Sequence, residues 1–137
     1  IYDPGPPSKY ENFDFLKFVD FLTPNKHEAE FILGKKIDGF ELEAAKELKK
    51  LGSNHVIITL GSEGLVYSGD FDQIFKPIKV NSVDPVGSGD CFNGALASMI
   101  NKGEDIFNSI NFAQRAAAFS TTRKGASQSF PFLNEIK

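Results

Sequence analysis

A glycine-rich loop that runs into a predicted helix is the strongest chemical signal in this chain. It reads Asp84-Pro85-Val86-Gly87-Ser88-Gly89-Asp90. Glycines let the backbone approach an anion closely, and the amide groups at a helix start favour negative charge. Asp90 adds a carboxylate there, which phosphate binding alone would not favour. This carboxylate could accept a proton from a hydroxyl nucleophile, while the amides of Gly87, Ser88 and Gly89 offset charge on a transferring phosphoryl group.

Two other glycine-rich phosphate motifs do not fit this loop. A Walker loop ends in Gly-Lys-Ser/Thr, and a dinucleotide fingerprint needs glycine where Phe92 stands. One alternative stays open from the residues alone. It is a purely structural turn, in which Asp90 acts only as a charge partner of the helix N-terminus.

A second polar pair, Asn25 and Glu28, begins another predicted helix. Their spacing puts both side chains on one helix face, one turn apart. The same spacing is that of a capping box, a structural role that can hold together with a functional one. His27 and Glu28 also resemble the start of a zinc-protease helix. Phe31 stands where the second histidine would be needed, so we exclude zinc there.

Strands alternate with helices along the chain, as judged from its apolar residues. The predicted strands are a short buried one within 19–23, a β-branched run over 55–60, one over 65–67, and one or two edge strands within 73–83. The predicted helices start at Asn25, cover 40–52 with Gly52 as carboxyl cap, and cover 87–103 and 105–125. This alternation predicts an α/β fold of three layers, α/β/α, with a mostly parallel sheet. Its ligand site is expected at the carboxyl ends of the strands.

Composition and charge exclude several classes of function. The 137 residues are 41% hydrophobic and 24% charged, which suits one soluble globular domain. The net charge of -3 gives no positive field for nucleic acid or an anionic membrane. No apolar run approaches the roughly 20 residues that span a bilayer, and the first residues do not resemble a signal peptide. The single cysteine, Cys91, fits a reducing cytosol, and we expect it to be a buried packing residue rather than a reactive thiol.

Four stretches together resemble the ribokinase-like (PfkB) sugar kinases, and they occur in that family's order. They are 23–30, 59–64, 84–92 and 116–129. The resemblance covers nearly the whole chain and implies a ribokinase-like α/β fold. By the same resemblance, residues 1–137 form the carboxyl-terminal, nucleotide-binding part of the kinase domain. The family's sugar contacts and lid lie mainly in an amino-terminal half that these residues do not contain.

The resemblance implies an ATP-dependent kinase that phosphorylates a hydroxyl of a small sugar-like molecule. It makes Asp90 the general base and Gly87, Ser88 and Gly89 the anion hole. Asn25 and Glu28 would support Mg²⁺ and the phosphates, largely through water. The implied nucleotide contacts are Asn25, Thr59, Gly61, Ser62, Glu63, Gly64, Gly89 and Gln114. The residues alone leave two alternatives open: the glycines of 61–64 serve only the turn, and the alanines around Gln114 serve only close helix packing.

Some members of the family also hold a monovalent cation such as K⁺, mainly through main-chain oxygens. The matching positions are Asp84, Val86, Ser120, Arg123, Gly125 and Ser129. The alternative is that two loops simply pack together there. Pro85 departs from the family, in which many members have threonine. Proline removes an amide donor and stiffens the approach to the anion hole.

Two other functions stay open at this stage. One is a kinase of a vitamin precursor or nucleoside on the same scaffold, and the other is a catalytically silent nucleotide-binding module. The intact Gly-Ser-Gly-Asp sequence argues against the silent module. We expect a cytoplasmic protein with a small-molecule substrate. An uncovered sheet edge would favour self-association into a homo-oligomer.

Overall fold

The computed structural model describes residues 1–5 and 12–136. The chain divides into two compact units, Ile1–Pro77 and Ile78–Lys137, called here the amino-terminal and carboxyl-terminal units. None of the described helices is long and apolar enough to cross a membrane.

A four-stranded sheet organises the amino-terminal unit. Its strands lie in the order β1 (Phe21–Leu22), β2 (His55–Thr59), β3 (Leu65–Ser68) and β4 (Asp72–Phe75). β1 runs parallel to β2, with Phe21 opposite His55, and Tyr2 adds a parallel bridge to Leu22. β2 with β3, and β3 with β4, are antiparallel pairs.

The expectation of a mostly parallel sheet is wrong for this unit, because the sheet is mixed. Only residues 60–64 join β2 to β3, and only residues 69–71 join β3 to β4. Parallel neighbours need a crossover of about a dozen residues or more, so connections this short make hairpins. The β1 to β2 connection is long enough, and it contains two helices, α1 (Lys26–Leu33) and α2 (Glu41–Lys49).

The two helices and the sheet enclose the core of this unit, which confirms the α/β class. Both helices pack against β2, and α2 also packs against β3. A 3-10 helix, Phe13–Phe18, precedes β1. The buried apolar side chains are Leu16, Leu22, Ala29, Ile37, Ala44, Ala45, Leu48, Val56, Ile58 and Val66. Burying this surface is the main favourable term in folding.

α2 ends earlier than the sequence predicts. Ala45 and Leu48 of the apolar stripe are buried, but the helix ends at Lys49 and leaves Leu51 40% exposed. Gly52 is therefore not its carboxyl cap. A Cβ at Gly52 would lie 2.7 Å from the backbone nitrogen of Lys17, so glycine is required there by close backbone approach.

Of the one or two edge strands predicted within 73–83, the structure contains one, β4. β4 ends at Phe75, and the described backbone from Lys76 to Pro85 contains no further strand. Pro77 explains the stop, because proline has no amide hydrogen to continue the ladder.

The carboxyl-terminal unit is built on two helices that pack against each other, α3 (Ser88–Asn101) and α4 (Ile106–Ser120). Two short 3-10 helices follow, Ser127–Ser129 and Leu133–Glu135. α3 ends near Gly103 as predicted, with φ of 80° at that glycine. The predicted cap of α4 is also confirmed, since the Asp105 side chain accepts the Asn108 amide at 2.8 Å.

α4 ends at Ser120 rather than near residues 124–125. The hydroxyl groups of Ser120, Thr121 and Thr122 donate to the carbonyl oxygens three residues earlier, each at 2.8 Å. Such side-chain bonds compete with the next amide groups for the same carbonyls, so they favour the end of a helix over its continuation.

Candidate active site

The glycine-rich loop starts α3 without a side-chain cap. α1 and α4 begin with capping side chains from Asn25 and Asp105, whereas α3 begins at Gly87, which has no side chain. Gly87 has φ 80° and ψ 0°, and its carbonyl accepts the amide of Cys91 at 2.9 Å. The first amide groups of a helix have no partners within it, so an uncapped start is suited to an external anion. Of the amides assigned to the anion, that of Ser88 donates to the Pro85 carbonyl at 3.2 Å.

Gly87 is constrained by space as well as by backbone angle. A Cβ there would lie 3.0 Å from the Ala126 Cα, 3.1 Å from its Cβ and 3.3 Å from the Phe130 ring. Residues 84–90, the anion loop, therefore lie directly against residues 121–126, the anchor segment.

Asp84 joins the anion loop to the anchor segment. Its Oδ1 accepts the Val86 amide at 3.1 Å, and its Oδ2 accepts the Gly125 amide at 2.9 Å. These two bonds, that from Gly125 above all, lower the pKa of the Asp84 carboxyl. The amides of Val83 and Asp84 both donate to the Thr121 carbonyl, at 2.7 and 2.9 Å.

The residues around Asp90 divide into exposed and buried ones. Asp90 lies in the first turn of α3, exposed to solvent, and Ser88 before it is half-buried. Cys91 is buried, and burial raises the pKa of its thiol. The predicted packing role of Cys91 is therefore confirmed, since a raised pKa disfavours the reactive thiolate.

The six positions matched to a monovalent cation site are linked in part. Asp84 contacts Val86 and Gly125, as above. The Arg123 amide donates to the Ser120 carbonyl at 3.3 Å, and the Ser129 hydroxyl donates to the Ala126 carbonyl at 2.7 Å. Among the described residues, no group of three or more His, Cys, Asp or Glu side chains forms a metal-binding cluster.

The capping box predicted at Asn25 and Glu28 is confirmed. Asn25 Oδ1 accepts the Glu28 amide at 3.0 Å, and Glu28 Oε2 accepts the Asn25 amide at 2.7 Å. Asn25 also forms a parallel bridge with Thr59, whose amide donates to the Pro24 carbonyl at 3.0 Å. Asn25, Glu28 and Thr59 therefore meet at the carboxyl ends of β1 and β2, the edge at which a ligand site was expected.

Glu28 is a carboxylate that is largely shielded from solvent, unlike most acidic side chains. Its side chain is 9% exposed, and burial raises its pKa, an effect that the Asn25 amide only partly offsets. The negative charge of Asp3 raises the pKa further. Asp3 was missed in the sequence, although an acid directly after Tyr2, which bridges to β1, could have been recognised as a residue at a strand end.

The two glycines of the loop after β2 have different roles. A 3-10 helix, Gly61–Glu63, exposes Gly61, Ser62 and Glu63. Gly61 has φ 58°, and a Cβ there would have nothing within 4 Å. Gly64 has φ 101°, and a Cβ there would lie 2.2 Å from the Phe75 carbonyl oxygen. The structural alternative is thus confirmed for Gly64, while Gly61 borders open space.

Gln114 lies half-buried on α4. Its neighbours Ala113 and Ala116 are buried and α4 packs against α3, which confirms the close-packing role for these two alanines, while Ala117 and Ala118 are half-buried. The nucleotide contact at Gln114 stays a prediction. The predicted site residues thus fall in both units, with Asn25, Glu28, Thr59 and 61–64 in the first and the anion loop, Gln114 and the cation positions in the second.

Comparison with known proteins gives a match to a family model over most of the chain. The model described as pfkB family carbohydrate kinase matches residues 2–133. The chain is 37% identical over 138 residues to the ribokinase of Lactococcus lactis subsp. lactis, a match that covers 100% of this chain and 43% of that protein. The chain therefore spans less than half the length of this relative. A share of length does not tell which part is matched, so the assignment to the carboxyl-terminal part stays a prediction.

Solved structures give the same result for the fold. The ribokinase of Arabidopsis thaliana, in complex with ribose and ATP, matches with a TM-score of 0.89 and 28% identity, over 98% of this chain and 45% of that one. A protein from E. coli, in complex with ATP and Mg²⁺, matches with a TM-score of 0.79 and 26% identity, over 90% of this chain and 40% of that one. The predicted ribokinase-like fold is thereby confirmed.

Proposed function

Because this chain belongs to the pfkB family of carbohydrate kinases, we propose that its protein transfers the γ-phosphoryl group of ATP to a hydroxyl of a small sugar or sugar-like molecule. The observation that carries the proposal is the start of α3, where an uncapped helix begins at Gly87 and Asp90 lies in the first turn. The ribokinase relative and the neighbour with bound ribose and ATP support the two ligand classes.

The chemistry assigned to this helix start has two parts. Asp90 takes the proton of the attacking hydroxyl, whose oxygen forms a bond to the γ-phosphorus. The bond from that phosphorus to the oxygen bridging it to the β-phosphate then breaks, and ADP leaves with the electron pair. The amides of Gly87, Ser88 and Gly89 offset the charge on the transferring group. Asp90 is exposed, so its proton can return to water.

Asn25 and Glu28 are the proposed support for Mg²⁺. The nearly buried Glu28 carboxylate has a raised pKa and Asp3 near it, so a cation beside them would offset unfavourable negative charge. The capping box occupies the single side-chain oxygen of Asn25 and one of the two of Glu28, which fits contact through the metal's water shell better than full coordination by protein. When bound, Mg²⁺ neutralises charge on the phosphates.

The nucleotide is proposed to lie along the loop after β2. Thr59, Gly61, Ser62, Glu63 and Gly64 form this loop, and its open side is at Gly61, where no atom lies within 4 Å of the Cβ position. Gly89 and Gln114 are assigned to the nucleotide by the family resemblance alone.

The proposal includes a site for K⁺ at the loop that contains Asp84. Both Asp84 oxygens already accept amide hydrogens, so a cation there would rely on carbonyl and hydroxyl oxygens of Val86, Ser120, Arg123, Gly125 and Ser129.

We also assign the chain to the carboxyl-terminal part of the kinase domain and the protein to the cytoplasm. The single cysteine supports this location.

A coupled ADP-release assay on the full-length protein tests the proposal. With Mg²⁺ and ATP, a panel of sugars and ribosides is screened for acceptor-dependent turnover. Asp90→Asn should lower kcat by about 10²-fold to 10⁴-fold, as expected for a lost general base, with little change in nucleotide affinity. Asp105→Asn is the matched control, because it alters a helix-start acid of α4 and keeps a capping oxygen. Near wild-type kcat for Asp90→Asn in single turnover would remove Asp90 from the mechanism.

A further inference from the structure

The anion loop depends on the anchor segment for its position. Asp84 accepts the Gly125 amide and donates its own amide to the Thr121 carbonyl, and Gly87 lies so close to Ala126 that a Cβ would be 3.0 Å from the Ala126 Cα. Beyond the turn that ends α4, the anchor segment makes one helical hydrogen bond, in which the Ala126 carbonyl accepts the Ser129 amide at 3.0 Å. A shift of the anchor segment would therefore move the residues that begin α3.

The side chain of Arg123 ties the anchor segment to the residues that follow it. The guanidinium group forms a two-nitrogen ion pair with the Glu135 carboxylate and lies over the Phe119 ring, 4.6 Å from its centroid. Glu135 Oε2 also accepts the Phe132 amide at 2.8 Å. One carboxylate thus joins Arg123 to the start of the last 3-10 helix, Leu133–Glu135.

The geometry of this pair matters more than its strength. An exposed ion pair contributes little to overall stability. A planar guanidinium that meets a carboxylate through two nitrogens and stacks on a ring is, however, fixed in orientation. Arg123 lies between Thr121 and Gly125, the two residues that hold Asp84, so fixing its side chain limits the local opening of the segment between them.

We propose that Glu135 is a positioning residue for the anion loop: by fixing Arg123, it holds the anchor segment where Gly125 meets Asp84 and Ala126 meets Gly87. The effect on catalysis rests on the proposed kinase function. The effect on the anchor segment does not, because it concerns only contacts within the carboxyl-terminal unit.

Amide hydrogen exchange measured by NMR on the full chain tests the structural part. In Glu135→Ala, the Val86 and Gly125 amides, both bonded to Asp84, should exchange about fivefold faster through local opening. Glu47→Ala is the matched control, since it removes an exposed ion pair with Lys35 in the other unit. Exchange at Val86 and Gly125 should not change in that control. Glu135→Gln keeps an acceptor for the Phe132 amide and gives the answer if the alanine variant does not fold.

Two results would overturn the inference. One is unchanged exchange at Val86 and Gly125 in Glu135→Gln. The other is equal acceleration of the amides in the middle of α4, which would mean that overall stability was lost. In the active full-length protein, Glu135→Gln should lower kcat severalfold and leave KM for nucleotide and sugar unchanged. If the wild-type protein transfers no phosphoryl group, the proposed function fails, while the exchange result still decides whether Glu135 positions the loop.

Discussion

Alanine substitutions at Gly61 and Gly64 should separate turn stability from ligand contact in the loop after β2. Both glycines have positive φ, 58° and 101°, and only Gly64 is crowded. A left-handed conformation costs a non-glycine residue roughly 1–2 kcal/mol. Replacing glycine also restricts the unfolded chain, which returns about 0.4–1 kcal/mol. Gly61→Ala should therefore destabilise the amino-terminal unit by about 0–1.6 kcal/mol.

Gly64→Ala should be far more damaging. With φ 101° and ψ -135°, Gly64 lies close to the region that glycine alone adopts, which costs another residue about 1–3 kcal/mol. A methyl group would also lie 2.2 Å from the Phe75 carbonyl oxygen and 2.9 Å from the Pro77 nitrogen, and overpacking of this kind costs about 1–3 kcal/mol. The sum is about 2–6 kcal/mol, and subtracting the unfolded-state term of about 0.4–1 kcal/mol leaves about 1–5.6 kcal/mol. The free energy of unfolding of a unit of this size is about 4–11 kcal/mol, so Gly64→Ala would remove a large fraction of its stability.

Urea unfolding followed by circular dichroism checks this difference. Because the unfolded-state term is the same for both variants and overpacking of about 1–3 kcal/mol applies only to Gly64→Ala, we expect their free energies of unfolding to differ by at least about 1 kcal/mol, with similar dependence on urea. Equal destabilisation would refute the reasoning, because it would mean that the Phe75 carbonyl moves aside at little cost. Titration calorimetry with ATP tests the effect of these substitutions on nucleotide binding. Gly61→Ala should weaken nucleotide binding without loss of fold, since its methyl group points into the space assigned to the ligand.

Two further predictions concern titratable groups whose pKa is shifted by burial, the nearly buried Glu28 and the half-buried His55. Glu28→Gln should raise the Mg²⁺ concentration needed for half-maximal rate, while the amide oxygen of the new side chain still caps α1. Glu43→Gln, at an exposed position of α2, is its control. If both variants require the same Mg²⁺ concentration, the role of Glu28 is purely structural. His55 stacks on Phe21, and its Nδ1 lies 2.8 Å from the Tyr67 hydroxyl oxygen; burial lowers its pKa. The histidine of the unfolded chain therefore takes up a proton at a higher pH than that of the folded chain, so the free energy of unfolding decreases as the pH falls below about 6.5. Between pH 7 and pH 5, the free energy of unfolding should fall more in the wild type than in His55→Phe. The control His27→Gln, at an exposed position, should behave like the wild type. The same decrease in free energy in all three proteins would contradict the prediction.

Local sequence patterns predicted the helix starts well. Asn25 with Glu28, Asp105, and Gly87 before Asp90 each mark a helix start at the position observed, because caps involve residues within one turn of each other. The antiparallel strands were not predicted, because Val56, Ile57 and Ile58 are all buried. Burial on both faces does not reveal the direction of a neighbouring strand. The short connections that follow β2 were the better guide.

The contacts that hold the anion loop left no comparable signal. Asp84 and Gly125 are 41 positions apart, and the donor is a main-chain amide of the kind that every residue except proline possesses. Arg123 was singled out for its carbonyl oxygen, whereas its side chain makes the link to Glu135 and Phe119. A pattern of residue types can identify a loop that could hold an anion. It does not identify the second loop that fixes its shape.

The two aspartates of the anion loop have opposite relations to their surroundings, and this difference divides their roles. Asp84 gives both carboxylate oxygens to amide hydrogens, so its charge is offset where it stands and it serves to fix the backbone. Asp90, six residues later, is exposed at the start of α3. A carboxylate committed to two amides is a poor proton acceptor, whereas an exposed one beside an uncapped helix start can approach a hydroxyl. We therefore assign the proposed proton-transfer role to Asp90, and the proposed role of fixing the loop geometry to Asp84.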